Sequence, residues 1–268
     1  MRRSLIVLSV TLIAATSSVP VLRAQNAPPS GASTAQNGSA KIPDLSGSWL
    51  RKMGIQSISN SDIGGAKRGK EEDIPYQPWA LAKTLSEKPP TGPDNQFEAT
   101  TDPWINYCEP PGLVRIYMEP GRTKFVQTPD AVYVFHEVMQ TFRIVRLNSK
   151  HPVDPDPTWW GDSIGWYENG DTLVVDTIGT NGKTWLDQLG HPTTEKLHLI
   201  ERYKRVDANT LDFVAIVDDP GAYTKPFESH RIFTQTGVPF LQNSWVCSVR
   251  ENQGFFDDLY APATSKQK

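Results

Sequence analysis

Between His151 and His191 the sequence concentrates side chains that can transfer protons. The segment contains these two histidines and several aspartates, among them Asp162 and Asp187. An imidazole titrates near neutral pH, and a neighbouring carboxylate fixes its tautomer and orientation for general acid–base catalysis. The pattern predicts that His191 and His151 transfer protons while Asp162 and Asp187 orient or assist them. The alternative is a structural role, since aspartates also cap turns in long ordered loops.

The same segment holds four of the eight tryptophans, which could stack on a sugar ring, an aromatic ring or a polycyclic lipid. The expected ligand-binding residues are Trp160, Trp185, Trp159, Trp166, Asn181, Glu201 and Arg202. Tryptophan in a β-rich protein also belongs to the core. Adjacent strand residues such as Glu201 and Arg202 point to opposite faces, so a salt bridge with other partners is the alternative for this pair.

Other chemistry has weaker support in the sequence. There is no HExxH, His-x-His or calcium-loop spacing, so no metal is predicted, although Asp154 and Asp156 could offer oxygens to calcium. Gly161-Asp162-Ser163 lacks the α/β context of a nucleophile elbow. No phosphate loop or dinucleotide fingerprint occurs, and no cofactor is predicted.

These side chains need a scaffold, and the second half of the chain predicts one made of strands. Eight runs are rich in β-branched and aromatic residues: 124–127, 131–138, 141–147, 163–167, 172–178, 197–206, 210–217 and 229–234. Asn169-Gly170 is the strongest turn signal, because a type I′ hairpin needs positive φ at both central positions. No helices alternate with these runs, which excludes a parallel sheet.

The sequence therefore predicts an all-β fold, an antiparallel meander closed into a lipocalin-like barrel or a strongly curled sheet. Closure would remove the exposed edges; a cupped sheet or a sandwich is the alternative. Alternation along the strands predicts one inward row, consisting of Leu211, Phe213, Ala215 and Val217. Alternation also points Glu201 inward, where a buried carboxylate needs a partner.

Two connectors flank the predicted hairpin of residues 163–178. Residues 151–162 precede it and residues 179–191 follow it, so both leave the same end of the hairpin. They could converge on one pocket with aromatic walls and a few polar groups, the usual form of a small-molecule site.

The first 24 residues have the pattern of a secretory signal peptide. Arg2 and Arg3 precede an apolar stretch, and Leu22-Arg23-Ala24 forms a plausible cleavage site. The segment is too short and too interrupted to span a bilayer, and a retained anchor is the alternative. The prediction is a periplasmic or extracellular protein without stable membrane insertion.

Composition limits the partners of this 268-residue chain. Its formal net charge is −3, so it lacks the basic footprint of a nucleic-acid-binding protein.

The expected organisation is a flexible leader at 25–41 and a single β-rich domain at 42–268. Within that domain we predict an irregular proline-rich wrap (42–122), the strands (123–236) and a C-terminal extension (237–268). Helix is possible in the wrap only at Pro78–Glu87, where Pro78 would lie near the first helical position.

The two cysteines, Cys108 and Cys247, both lie in the predicted mature chain. An even count in an oxidising compartment favours a disulfide between them, and two separate buried thiols are the alternative.

Several motifs spread along the chain resemble those of an uncharacterised family of exported bacterial β-rich proteins. They are Pro43-Asp44-Leu45-Ser46-Gly47-Ser48-Trp49, Cys108-Glu109-Pro110-Pro111-Gly112, Trp160-Gly161-Asp162-Ser163-Ile164-Gly165, Gly170-Asp171-Thr172-Leu173-Val174-Val175-Asp176-Thr177, Trp185-Leu186-Asp187, Gly190-His191-Pro192 and Glu201-Arg202. The resemblance implies export and a loop set rich in Trp, Asp and His. The opening Leu45-Ser46-Gly47-Ser48-Trp49 also resembles the Gly-x-Trp start of lipocalin-type barrels.

These observations favour an exported enzyme that processes a small molecule by His/Asp acid–base catalysis in a Trp-lined pocket. Its reaction would be of the hydrolase, lyase or isomerase type, without a cofactor. The alternative is a non-catalytic, lipocalin-like binder of an apolar or aromatic ligand. In both cases the expected partner is a small-molecule ligand or substrate.

Overall fold

The computed structural model describes residues 42–51, 58, 74–87, 102–119, 121–240 and 247–250. The predicted signal peptide and leader lie outside the described residues, as does most of the predicted C-terminal extension. No helix in the described part is long and apolar enough to cross a membrane.

Nine strands form a closed barrel, which confirms the predicted all-β class. The strands are β1 Gly47–Arg51, β2 Arg122–Gln127, β3 Ala131–His136, β4 Thr141–Leu147, β5 Asp162–Glu168, β6 Thr172–Ile178, β7 His198–Arg205, β8 Thr210–Asp218 and β9 Phe227–Gln235. Each strand pairs with the next along the chain, and β1 also pairs with β9. In the β5–β6 turn, Asn169 and Gly170 have φ values of 51° and 69°. This is the positive-φ pair that a type I′ turn needs.

The structure differs from the sequence prediction in the proline-rich segment before β2. The described residues of this segment contain the closing strand β1 and three helices: α1 Pro78–Glu87, α2 Pro103–Tyr107 and α3 Arg115–Met118. Only the stretch of α1 was predicted to allow a helix. β1 is formed by long-range pairing, since Leu50 lies opposite both Arg122 and Thr234. Such tertiary pairing is not visible in a five-residue run of sequence.

One strand pair departs from the predicted antiparallel meander. β4 and β5 run parallel, with Arg146 opposite Ile164 and Leu147 opposite Gly165. The reason is the long connector 148–161, which carries the chain back along the barrel before β5 begins. Parallel neighbours require such a crossover. This connector also carries His151.

The barrel interior is packed with side chains. The predicted inward row on β8 is confirmed, because Leu211, Phe213, Ala215 and Val217 are all fully buried. Tyr117 of α3 also enters the interior, where its ring centroid lies 5.0 Å from that of Phe213. Other buried rings in contact there are those of Phe125, Tyr203 and Phe233.

The predicted disulfide is confirmed. Cys108 and Cys247 are bonded, with their Cα atoms 5.6 Å apart and a sequence separation of 139 residues. Cys108 is the C-cap residue of α2, directly after Tyr107, so the bond fixes this helix end to the chain beyond β9.

Candidate functional site

His151 lies between two carboxylates on the outer face of the barrel. Its Nδ1 is 2.6 Å from Oδ1 of Asp162, and its Nε2 is 3.2 Å from Oδ1 of Asp176. The same Asp176 oxygen is 2.9 Å from Nε2 of His198. On the other side, Nη2 of Arg146 donates to both oxygens of Asp162, at 2.7 and 2.8 Å. The result is a continuous polar network across β4, β5, β6 and β7.

This network remains in contact with solvent. The side chains of His151 and Asp162 are 16% and 23% exposed, and that of His198 is 43% exposed. The imidazole of His151 is therefore within hydrogen-bond distance of two carboxylates at a partly exposed site.

The second histidine–aspartate pair is fully buried. Nδ1 of His191 lies 2.6 Å from Oδ1 of Asp187, and both side chains have 0% exposure. The other Asp187 oxygen accepts a hydrogen bond from the backbone N–H of Ile58, and the ring of Tyr76 stacks on His191. Arg115 donates to the Asp187 carbonyl oxygen. In this structure neither side chain of the pair is open to solvent.

The two connectors meet, but they do not bring the two histidines into one pocket. The backbone N–H of Thr158 donates to Gly179, and that of Asn181 donates to Thr158. His151 nevertheless faces outward across the sheet, whereas His191 packs beneath α1 beside Tyr76. Neither histidine lines the groove between α1 and the 182–193 loop.

A groove of about 470 Å³ lies between α1 and the 182–193 loop. Trp185, which is 5% exposed, lies in its wall next to Pro192, with which it forms an isolated β-bridge. Trp79 from α1 also lines the groove. The remaining lining residues are Lys83, Glu87, Pro103, Glu109, Gly182, Lys183, Thr184, Pro192 and Thr193.

α1 is fixed to the β8–β9 connector, which positions Trp79. The backbone N–H of Gln77 donates to Ala222 and that of Thr224 donates to Pro75. The indole Nε1 of Trp79 donates a 2.8 Å hydrogen bond to Gly221, while 46% of the residue stays exposed. Sequence reasoning missed Trp79. The sequence offered one indication of it, an aromatic residue at the start of the only stretch before β2 where a helix was judged possible.

The groove carries balanced charge. Lys83 and Lys183 contribute two ammonium groups, and Glu87 and Glu109 contribute two carboxyl groups. Nζ of Lys83 lies 3.2 Å from Oε1 of Glu87. Glu109 directly follows the disulfide-bonded Cys108, so the disulfide supports this wall.

The other predicted binding residues are spread over the molecule. Asn181 accepts a hydrogen bond from the Lys183 backbone, and the Lys183 ammonium lies 5.9 Å from the Trp159 ring. Because Lys183 lines the groove, Asn181 and Trp159 lie next to it. Trp160 packs against the core. Trp166 and Arg202 both bond to Glu168 on the outer face of the barrel.

Glu201 points inward, as the alternation predicts, and its partner there is Arg143. Nη2 of Arg143 is 2.5 Å from Oε2 of Glu201, and the Tyr203 hydroxyl donates to Oε1. Nearby, burial together with the charge of Arg143 lowers the pKa of His136 to about 3, so this ring is neutral. The group forms a buried polar layer inside the barrel.

In the described ranges, no group of three or more His, Cys, Asp or Glu side chains is arranged to bind a metal ion. Asp154 and Asp156 are both exposed.

Comparison with family models finds no match for this chain, and comparison with curated proteins finds no similar sequence.

Proposed function

We propose that this protein is exported and captures a small organic molecule in the groove beside α1. The main support for the proposal is the position of Trp79. Its indole is fixed by a hydrogen bond to Gly221, and the residue is still 46% exposed at the groove. An exposed aromatic ring held in one orientation is a preorganised stacking surface for a ligand.

The shape and lining of the groove support this role. Its volume of about 470 Å³ falls in the range of small-molecule sites. Such sites combine aromatic walls with a few polar groups that orient the ligand. The groove offers this combination, with Trp79 and Trp185 as aromatic groups and the two lysines and two glutamates as polar ones.

The barrel interior gives less support to a lipocalin-like mode of binding. The rings of Tyr117, Tyr203 and Phe213 contact one another where an apolar ligand would have to lie. A ligand inside the barrel would have to displace these rings, whereas a ligand in the outside groove would not.

The proposal also includes export of the protein from the cytoplasm. It is supported by the signal-like first 24 residues and by the Cys108–Cys247 disulfide, since such bonds persist in oxidising compartments.

The test is native mass spectrometry of the purified mature protein after incubation with a pool of small metabolites. Wild type and Trp166→Ala should retain the same compound, because Trp166 is 37% exposed but does not line the groove. Trp79→Ala should lose it. Equal retention by all three proteins contradicts the proposal.

Acid–base catalysis at His151 is a second candidate function. The observation in its favour is a partly exposed imidazole 2.6 Å from the Asp162 carboxylate. His151→Asn should abolish turnover of any compound that the protein converts. The matched control is His230→Asn, because His230 is also partly exposed and lies 3.0 Å from Glu228. Unchanged turnover in His151→Asn removes this candidate.

A further inference from the structure

We infer that the ligand of the α1 groove is a neutral, ring-shaped molecule with many hydroxyl groups, which is the chemistry of a sugar. The inference rests on the proposed function and specifies the ligand class of the same groove.

The charges of the groove favour a neutral ligand. Two lysines and two glutamates line it, so its formal charge is zero. Lys83 and Glu87 already pair at 3.2 Å. An anionic ligand would meet Glu87 and Glu109 together with the lysines, and a cationic ligand would meet Lys83 and Lys183. Neither an anionic nor a cationic ligand is therefore attracted by the net charge of the groove.

The hydrogen-bonding groups favour a ligand that both donates and accepts. The ammonium groups of Lys83 and Lys183 only donate, while ionised carboxylates such as that of Glu109 only accept. A hydroxyl group does both, so a polyhydroxylated ring can satisfy the two kinds of group at once. An entirely apolar ligand would remove these charged groups from water without giving them a hydrogen-bond partner, which is unfavourable.

The aromatic surface favours a ring. Trp79 offers a fixed, half-exposed indole at the groove, and Trp185 contributes a second, mostly buried one. The C–H face of a sugar ring can stack on such an indole while its hydroxyl groups point to the polar side chains.

Isothermal titration calorimetry on the full mature protein tests the inference. The probes are neutral saccharides (glucose, galactose, mannose, xylose, cellobiose and maltose), the charged analogues glucuronate and glucosamine, and the apolar ring indole. We expect at least one neutral saccharide to bind. Its charged analogues and indole should bind about tenfold more weakly or not at all. Trp79→Ala should weaken the saccharide by about tenfold or more, with Trp166→Ala unchanged.

The outcomes separate this inference from the proposed function. If no neutral saccharide binds while another class of compound is retained in a Trp79-dependent manner, the ligand class is wrong and the groove is still a binding site. Tighter binding of glucuronate, glucosamine or indole than of every neutral saccharide also overturns the inference. If no compound of the metabolite pool or the panel depends on Trp79, the proposed function itself fails.

Discussion

The indole nitrogen of Trp79 donates a 2.8 Å hydrogen bond to the carbonyl oxygen of Gly221, across 142 residues of sequence. This bond ties an exposed side chain of α1 to the β8–β9 connector. An untethered surface tryptophan would lose rotamer freedom on binding a ligand, whereas Trp79 is already ordered. The contact therefore links the fold of the barrel to the aromatic wall of the groove.

Replacing Trp79 by phenylalanine separates the ring from its tether. Trp79→Phe keeps an aromatic face but loses the hydrogen bond, whose net contribution is about 1 kcal/mol. Ligand affinity should fall by up to about fivefold, less than in Trp79→Ala, as measured by calorimetry. Trp166→Phe is the control and should bind as wild type. A Trp79→Phe protein with full affinity would show that the tether is irrelevant.

The buried His191–Asp187 pair should matter for stability. Removing one member of a buried pair leaves the other without its partner, so His191→Ala should lower the free energy of unfolding by about 3 kcal/mol. His198→Ala removes an imidazole with 43% exposure and should cost less than about 1 kcal/mol. Urea denaturation measures both. A His191→Ala protein as stable as wild type would contradict the packing role.

Replacing one member of the Arg143–Glu201 pair should destabilise the protein more than replacing both. Glu201→Gln leaves the Arg143 guanidinium buried with its charge uncompensated, which should cost about 3–5 kcal/mol. The double variant Arg143→Met/Glu201→Leu removes both charges and should recover more than half of that loss. Denaturation of the three proteins forms the comparison. If the double variant is less stable than Glu201→Gln, the pair stabilises the barrel more than its burial costs.

His136 should make the protein sensitive to acid. Burial lowers its pKa to about 3, from the ordinary value of 6.5. Between these values the unfolded chain binds a proton at this residue and the folded protein does not. Stability is therefore lost as the pH falls from about 6.5 towards 3, by about 1.4 kcal/mol per pH unit from this group.

His136→Gln should remove this contribution. Denaturation curves of wild type and variant between pH 4 and 6.5 give the two slopes, and the wild-type slope should be the steeper one. Parallel slopes would show that His136 binds protons equally in both states.

Features that depend on local pattern could be predicted from the sequence. The bounds of β4 and β6 follow from runs of β-branched and aromatic residues, and α1 spans the expected Pro78–Glu87. The inward direction of Glu201 follows from the two-residue period of a strand. The Asn169-Gly170 turn follows from its need for positive φ.

Features that depend on distant contacts could not be predicted in this way. β1 exists because β2 and β9 lie on either side of it, and the parallel β4–β5 pair depends on the path of a long connector. The same limit applies to the site. His191 is stacked on Tyr76, and its partner Asp187 accepts a hydrogen bond from the Ile58 backbone; Tyr76 and Ile58 lie more than a hundred residues away in sequence. Trp79 reaches the groove because α1 packs on the β8–β9 connector.

A crystal structure of the mature protein grown with the compound that it retains would show where that compound binds. We expect density for the compound in the α1 groove, stacked on Trp79 and bonded to side chains such as Glu109 or Lys183. Density inside the barrel or beside His151, with Trp79 uncontacted, would contradict it.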